Sequence, residues 1–349
     1  MRHTPARPRV LFILKRRTGD YEGAYGGGYT HSRSSGLFNS VAFVVAELEN
    51  QGFQAEFMVV TDNNDIDREV ASYRPTHVLI EALWVVPEKF AELKRLHPSV
   101  KWAVRLHSEV PFVSMEGIAC DWVARYLAGG VAVACNSERM AADLQRLHPQ
   151  GNIPLLPNFY PLVTSPGRPA KPAQRLDIGC LGAIRPLKNT LIQAVAAVEF
   201  ARASRRHLYF HINSNRVEQR GDPVLKNLRA LFKGAGSAEL VEHPWVSHTE
   251  FLKLVAHLDL SMQVSFSETF NIVTADAVAC HVPVVVSPEI SWVPRIFHAA
   301  PTSVPSIVAA LGRAWGMRKV GGARLAKAGL SAYNRRSMKQ WKACLQAGL

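Results

Sequence analysis

One pattern limits what this chain can fold into: an alternation of short β-rich runs and longer helical stretches that goes through twice. The first series of strands reads VLFIL (10–14), AEFMVV (55–60), THVLIE (76–81), VKWAVRLH (100–107) and VAVAC (131–135). Helices are expected between them at 37–50, 87–97, 114–127 and 137–147. After IPLLPNFYP (153–161) comes SPGRPAKPAQR (165–175), whose prolines and basic residues mark a linker. The alternation then restarts with DIGCLG (177–182), HLYFHI (207–212), AELVEH (238–243), LDLSMQV (258–264) and VPVVVS (282–287). Strands alternating with helices predict a doubly wound α/β protein, and 349 residues exceed one typical core. The expected order is a Rossmann-like domain over 1–164, a linker over 165–175 and a second Rossmann-like domain over 176–320. A terminal helix over 321–349 carries Trp341.

Composition narrows the class. With 48% hydrophobic and 20% charged residues the chain matches ordinary globular proteins, and no apolar run nears the ~20 residues of a membrane span. VLFIL runs straight into Lys15, Arg16 and Arg17, so it reads as a first strand and not as a signal-peptide core. The five cysteines are scattered without a C-x-x-C, which favours buried thiols in a reducing cytoplasm over disulfides or zinc. The net charge of +13 predicts attraction to a polyanion: nucleic acid, an anionic membrane surface or an acidic glycan. A generally basic enzyme carries such a charge too.

Chemistry concentrates in SFSETFNIVTADAVACHVPVVVS, residues 265–287. Glu268 sits at a strand-to-helix junction, Asp276 follows eight positions later, and a small-residue helix leads to a strand opened by Pro283. Two acceptors flanking a helix N-terminus suit a polyhydroxylated, phosphorylated ligand. The segment resembles the donor-sugar motif of retaining glycosyltransferases with the GT-B fold, especially glycosyltransferase family 4. In that family it reads S-x-x-E-G-F-G, then L-x-x-x-E-A-M-A-x-G-x-P-V-V. Here Thr269 and Asn271 replace the two glycines of the first part, Asp276 the second Glu, and His281 the last Gly. The resemblance implies a GT-B architecture, two Rossmann-like doubly wound domains facing a central cleft, with the terminal helix 321–349 crossing back to the first domain. It also implies an enzyme that uses a nucleoside diphosphate sugar, a UDP-sugar being favoured, with no permanently bound cofactor.

A second match is GCLGAIRPLKNTL (179–191), where the family shows G-R-L-x-x-x-K-N/G. Lys188 and Arg185 stand beside a helix N-terminus, a ready anion site, although solvated basic residues at a helix start would look the same. Ala183 occupies the family's Arg position, leaving Arg185 as its substitute. By resemblance Glu268 would hold the donor sugar, Asp276 the ribose, and Lys188 and Arg185 the departing diphosphate. Gly182 and the backbone around Thr269, Phe270 and Asn271 would also face the donor, and Trp245 and Val246 the nucleobase. Weaker matches place Gly27 and Gly28, in the Gly-rich loop 16–36, near the donor phosphate. His107, in RLHSEVP (105–111), would be near the transferred sugar. Asn136 and Ser137 are helix-cap candidates.

Metal readings fare worse. Asp65-Ile66-Asp67 is a D-x-D, but it lies where a helix would start, and acidic residues there need no metal. His207 and His211 would lie roughly 13 Å apart on a strand at ~3.3 Å per residue. No essential metal is expected.

Lys15, Arg16, Arg17, Arg33 and Arg105 fall at the ends of first-domain strands, where the acceptor half of the cleft is expected. They favour a polyanionic acceptor. A basic, compact chain of this kind resembles phage-encoded glycosyltransferases that decorate hydroxymethylated pyrimidines in DNA. A lipid or cell-envelope glycan at a membrane surface is the alternative acceptor. A non-catalytic nucleic-acid- or glycan-binding module on the same scaffold is the alternative class. A dinucleotide oxidoreductase is disfavoured because no G-x-G-x-x-G follows the first strand.

Overall fold

A computed structural model describes residues 8–16, 35–162, 171–318 and 320–349. The chain divides into two compact units, Met1–Pro161 with Asn334–Leu349, and Leu162–Tyr333.

In the first unit, β1 (Arg9–Lys15), β2 (Gln54–Val60), β3 (His77–Glu81), β4 (Lys101–Leu106) and β5 (Ala132–Cys135) form a parallel sheet in the order β2-β1-β3-β4-β5. Alternate β1 residues serve opposite layers. Leu11 and Ile13 pack in the layer that holds Val70, Phe90, Val123 and Met140, from α2 (Asp65–Tyr73), α3 (Pro87–Leu96), α5 (Ala119–Ala128) and α6 (Glu138–Leu147). Val10, Phe12 and Leu14 face α1 (Gly36–Asn50) together with Met338, Trp341 and Leu345. Trp341 is fully buried, tilts against Phe12 at 5.7 Å and donates its indole N–H to Pro157 O at 2.7 Å. It belongs to α12 (Gly322–Ala347), whose last part lies in this unit.

The helix expected over 114–127 begins later, as α5, and a separate single turn, α4 (Val110–Val113), precedes it. Pro111, acceptable in a first helical turn, starts the earlier piece, and Gly117 lies in the break, where an unbroken helix would bear its entropic cost. Ser137 caps α6 as expected, accepting from Met140 N.

In the second unit the sheet runs β10-β9-β6-β7-β8, again parallel. Its strands are β6 (Arg175–Gly179), β7 (His207–Asn213), β8 (Ala238–His243), β9 (Leu260–Gln263) and β10 (Val284–Val286). β6 begins at Arg175, the last residue of the expected linker. The helices are α7 (Thr190–Ala203), α8 (Asp222–Lys233), α9 (His248–Ala256), α10 (Ile272–Ala279) and α11 (Val304–Met317). The order reverses at β6, which lies between β7 and β9 although β9 follows β8 in the chain. β6 is therefore the switch point of the sheet, and the carboxyl ends of the strands beside such a point are the usual ligand position in folds of this kind.

Candidate functional site

Both motifs singled out in the sequence leave the sheet at that switch point. The loop after β6 runs through Gly182 into a 3₁₀ turn, Pro186–Lys188, and then into α7. The loop after β9 carries Glu268 and enters α10. Hydrogen bonds stitch the two loops together. Gln263 donates to Leu181 O at 2.8 Å, Asn189 to Val264 O at 2.9 Å, and Phe266 N to Leu187 O at 2.9 Å.

At their meeting point Lys188 and Glu268 form a salt bridge. The two side chains are 15% and 10% exposed, so the pair is largely withdrawn from water while keeping one open side. Burial pushes the Glu268 carboxyl up, but the Lys188 ammonium and Arg185 outweigh it and hold it below its ordinary value. Burial lowers Lys188, partly opposed by Glu268. Arg185 is held on the other side at 3.5 Å by Glu218, which also accepts from Arg216 Nε at 2.7 Å. The Arg216 guanidinium in turn lies 4.3 Å from the Trp245 ring. A chain of charged and aromatic groups thus links the expected diphosphate residues to the expected nucleobase turn. Arg216 and Glu218 carry no motif signal, and only the fold brings them here.

Three motif positions, two of them substituted, keep a particular backbone. Asn271, where the resembled pattern has glycine, takes φ +60°, and His281, at the last glycine position, takes +58°. Asn189, the residue after Lys188, takes +57°. Asparagine tolerates the left-handed region better than most residues with a Cβ. At 271 its side chain adds what glycine cannot: it accepts from Thr274 N at 2.8 Å, capping α10, and donates to Gln263 at 2.9 Å. The remaining N–H groups of that first turn, those of Ile272 and Val273, have no intrahelical acceptor and can serve an anion. Gly182 adopts φ +113°, and a Cβ added there would lie 3.8 Å from Val273 Cγ2, at the start of α10. Phe270 is buried, and its carbonyl accepts from Trp292 Nε1 at 2.7 Å. Thr269 lies between Glu268 and Phe270 in the same turn. Asp276, expected to face a ribose, is buried and pairs with His248 Nε2 at 2.7 Å. Sequence reasoning missed His248, the first residue of α9.

Within the first unit, the strand-end residues form a separate network. Arg105 was expected among the acceptor ligands; its side chain is wholly buried. Its guanidinium reaches Glu81 at 3.2 Å, Leu156 O at 2.9 Å and Asn158 at 2.7 Å. Those fixed partners take it off the acceptor surface, because a buried charge is tolerable only when paired. His107 bonds the same Glu81 through Nε2, and its Nδ1 lies 3.4 Å from Asn136 Nδ2. Burial lowers the His107 pKa, with Arg105 adding to the effect and Glu81 opposing it. A neutral ring donating from Nε2 and accepting at Nδ1 fits these partners. Lys15 and Arg16 are exposed, with Lys15 Nζ 5.8 Å from the Trp84 ring. Arg17, Gly27, Gly28 and Arg33 lie outside the described residues.

The D-x-D is committed locally. Asp65 accepts from Thr61 N at 2.9 Å, which lowers its pKa, and Asp67 pairs with His97 at 2.7 Å. His211 bridges Asp177 at 2.9 Å and His243 at 2.8 Å, while His207 pairs with Glu239 at 2.8 Å. The two strand histidines thus serve different neighbours. Among the described residues no helix is long and apolar enough to cross a membrane.

No family model matches the chain, and no curated protein does. Solved structures match well. Sucrose-phosphate synthase from Thermosynechococcus elongatus aligns with a TM-score of 0.67 at 15% identity, covering 98% of this chain and 100% of that one. The α,α-trehalose-phosphate synthase of Burkholderia vietnamiensis gives 0.68 at 9%, covering 98% and 97%. TarM gives 0.60 at 12%, covering 77% of this chain and 54% of its own. At these identities the likeness reports fold: two parallel-sheet α/β domains joined in series, the GT-B fold.

Proposed function

We propose that this protein is a glycosyltransferase that moves a sugar from a nucleoside diphosphate sugar, favouring UDP, to an acceptor hydroxyl with retention. The observation that carries this reading is the Lys188–Glu268 pair at the switch point of the second sheet. A diphosphate beside Lys188 offers it a doubly anionic partner and frees Glu268 for sugar hydroxyls. Arg185 adds a second cation, and the first-turn N–H groups of α10 add neutral donors.

In this mechanism the bond between the anomeric carbon and the diphosphate oxygen breaks while a bond to the acceptor oxygen forms on the same face. The acceptor's proton passes to the departing diphosphate oxygen, so no strong protein base is required. Negative charge grows on that oxygen in the transition state, where Lys188 and Arg185 are worth most. Asp276, once exchanged from His248, takes the ribose hydroxyls, and Trp245 and Val246 border the base. His107 is assigned by resemblance to the transferred sugar. Both its ring nitrogens face protein partners, so it receives no proton-transfer step.

For the acceptor we favour a hydroxymethylated pyrimidine in DNA, on the strength of the +13 charge. The base would have to leave its stack, at a cost of a few kcal/mol that protein contacts offset. The test supplies duplex containing 5-hydroxymethylpyrimidines with a panel of nucleotide sugars, digests it and weighs the nucleosides. A nucleoside heavier by one sugar is expected. Modification of a lipid or glycan acceptor, with every base unaltered, would replace the DNA reading by the envelope reading.

A further inference from the structure

The charge excess is not spread along the chain. Residues 290–349 contain ten Lys and Arg and no Asp or Glu, whereas the preceding residues hold 31 basic against 28 acidic. Ten of the thirteen excess positive charges therefore belong to the last sixty residues, well away in sequence from the strand-end residues first read as acceptor ligands.

In the part of α12 that belongs to the first unit, Arg335, Arg336, Lys339 and Lys342 recur at helical spacing. Arg335, Arg336 and Lys339 are exposed, and Lys342 donates to Gln51 at 2.5 Å. Among the described residues no carboxylate lies within ion-pair distance of these four. Like charges three and four positions apart oppose the helix by a few tenths of a kcal/mol per pair, and among the described residues no ion pair neutralises them. Beside them lies a cavity of about 400 Å³ bordered by Arg335, Lys339, Lys342, Phe159, Gln51 and one carboxylate, Glu47. It is formed within the first unit, between the C-terminal end of α1 and α12, and is no part of the donor crevice.

We propose that this face of α12 and its cavity form a docking site for the phosphodiester backbone of nucleic acid. Four cations along about 10 Å of helix meet a polymer that carries one negative charge per ~1.7 Å of duplex axis. Phe159 in the cavity wall presents a ring to a base or sugar that enters. A bilayer is the poorer match, because no large apolar side chain between 334 and 349 is exposed enough to insert among acyl chains. The site deepens the DNA reading by placing backbone contacts outside the chemistry, where they position without choosing sequence.

The test uses the full-length protein and a triple charge reversal, Arg335→Glu, Lys339→Glu and Lys342→Glu, with the triple glutamine variant as a control for folding. Binding of a labelled, unmodified duplex is followed by anisotropy over a salt series, alongside vesicles of phosphatidylserine. The reversal is expected to weaken duplex binding at least tenfold. The glutamine variant should reduce the salt slope by about three, one per lost phosphate contact. Equal duplex affinity in the wild type and the reversal would overturn the site, as would wild-type binding to vesicles but not to duplex. If docking is lost in the variants while no base is ever glycosylated by the wild type, this site stands and the acceptor reading fails. If bases are glycosylated and docking is unchanged, the reverse holds.

Discussion

At the scale of single residues, the buried pair makes stability and activity separable. Lys188→Met leaves Glu268 charged and largely withdrawn from water, which should destabilise the protein by about 3–5 kcal/mol. Adding Glu268→Gln removes the orphaned charge and should restore most of that loss, yet transfer should stay down by about 10²–10³. Urea unfolding beside single-turnover rates checks this. A double variant that recovers rate together with stability would mean that the pair is only a strut. Residue-level legibility followed local chemistry. That Lys188 and Glu268 would come together was readable because two motifs fix their places at neighbouring strand ends. Of the replaced glycines, Asn271 and His281 keep a positive φ, which the sequence does not show. Arg105 was misread because strand position says nothing of which way a side chain is satisfied. Its partners Glu81 and Asn158 come from other elements.

At the scale of elements, strand and helix order was readable and helix interruptions were not. Every strand expected from the β-rich runs is present with small changes of bounds, since apolar runs of that length have few other uses. The late start of α5 was missed because Met115 and Ile118 carry the apolar pattern back past it. The Asp65-Ile66-Asp67 run illustrates how an element consumes a motif: Asp65 holds the turn before α2 and Asp67 holds His97. Transfer should therefore be unaffected by EDTA, and Asp65→Asn should lower the melting temperature without lowering the rate. Loss of rate on chelation, restored by manganese alone, would overturn that assignment.

At the scale of the whole molecule, pH should act through histidines held neutral in the interior. His77 is buried, and burial, with Lys101 nearby, pushes its pKa from 6.5 down to about 4. The sign follows from proton uptake: between pH 6.5 and about 4 the unfolded chain binds a proton that the folded chain refuses. Stability should thus fall as pH drops through that window, by up to about 1.4 kcal/mol per pH unit for this group. His243, also pushed down to about 4, carries the same sign in the second unit. Melting curves across the window should show the decline, and His77→Leu should flatten it. An equally steep decline in that variant would contradict the assignment. The two-unit organisation was legible because the alternation visibly restarts. The concentration of charge in the last sixty residues became meaningful only once α12 was seen to return to the first unit.

The claim on which the rest depends is that the switch point of the second sheet binds a nucleoside diphosphate sugar. Calorimetric titration of the wild-type protein and of Lys188→Ala with a set of nucleotide sugars addresses it directly. Saturable binding of at least one donor, weakened tenfold or more by the substitution, is the predicted result. Binding that ignores Lys188, or no binding of any donor by a folded wild-type protein, would contradict the account.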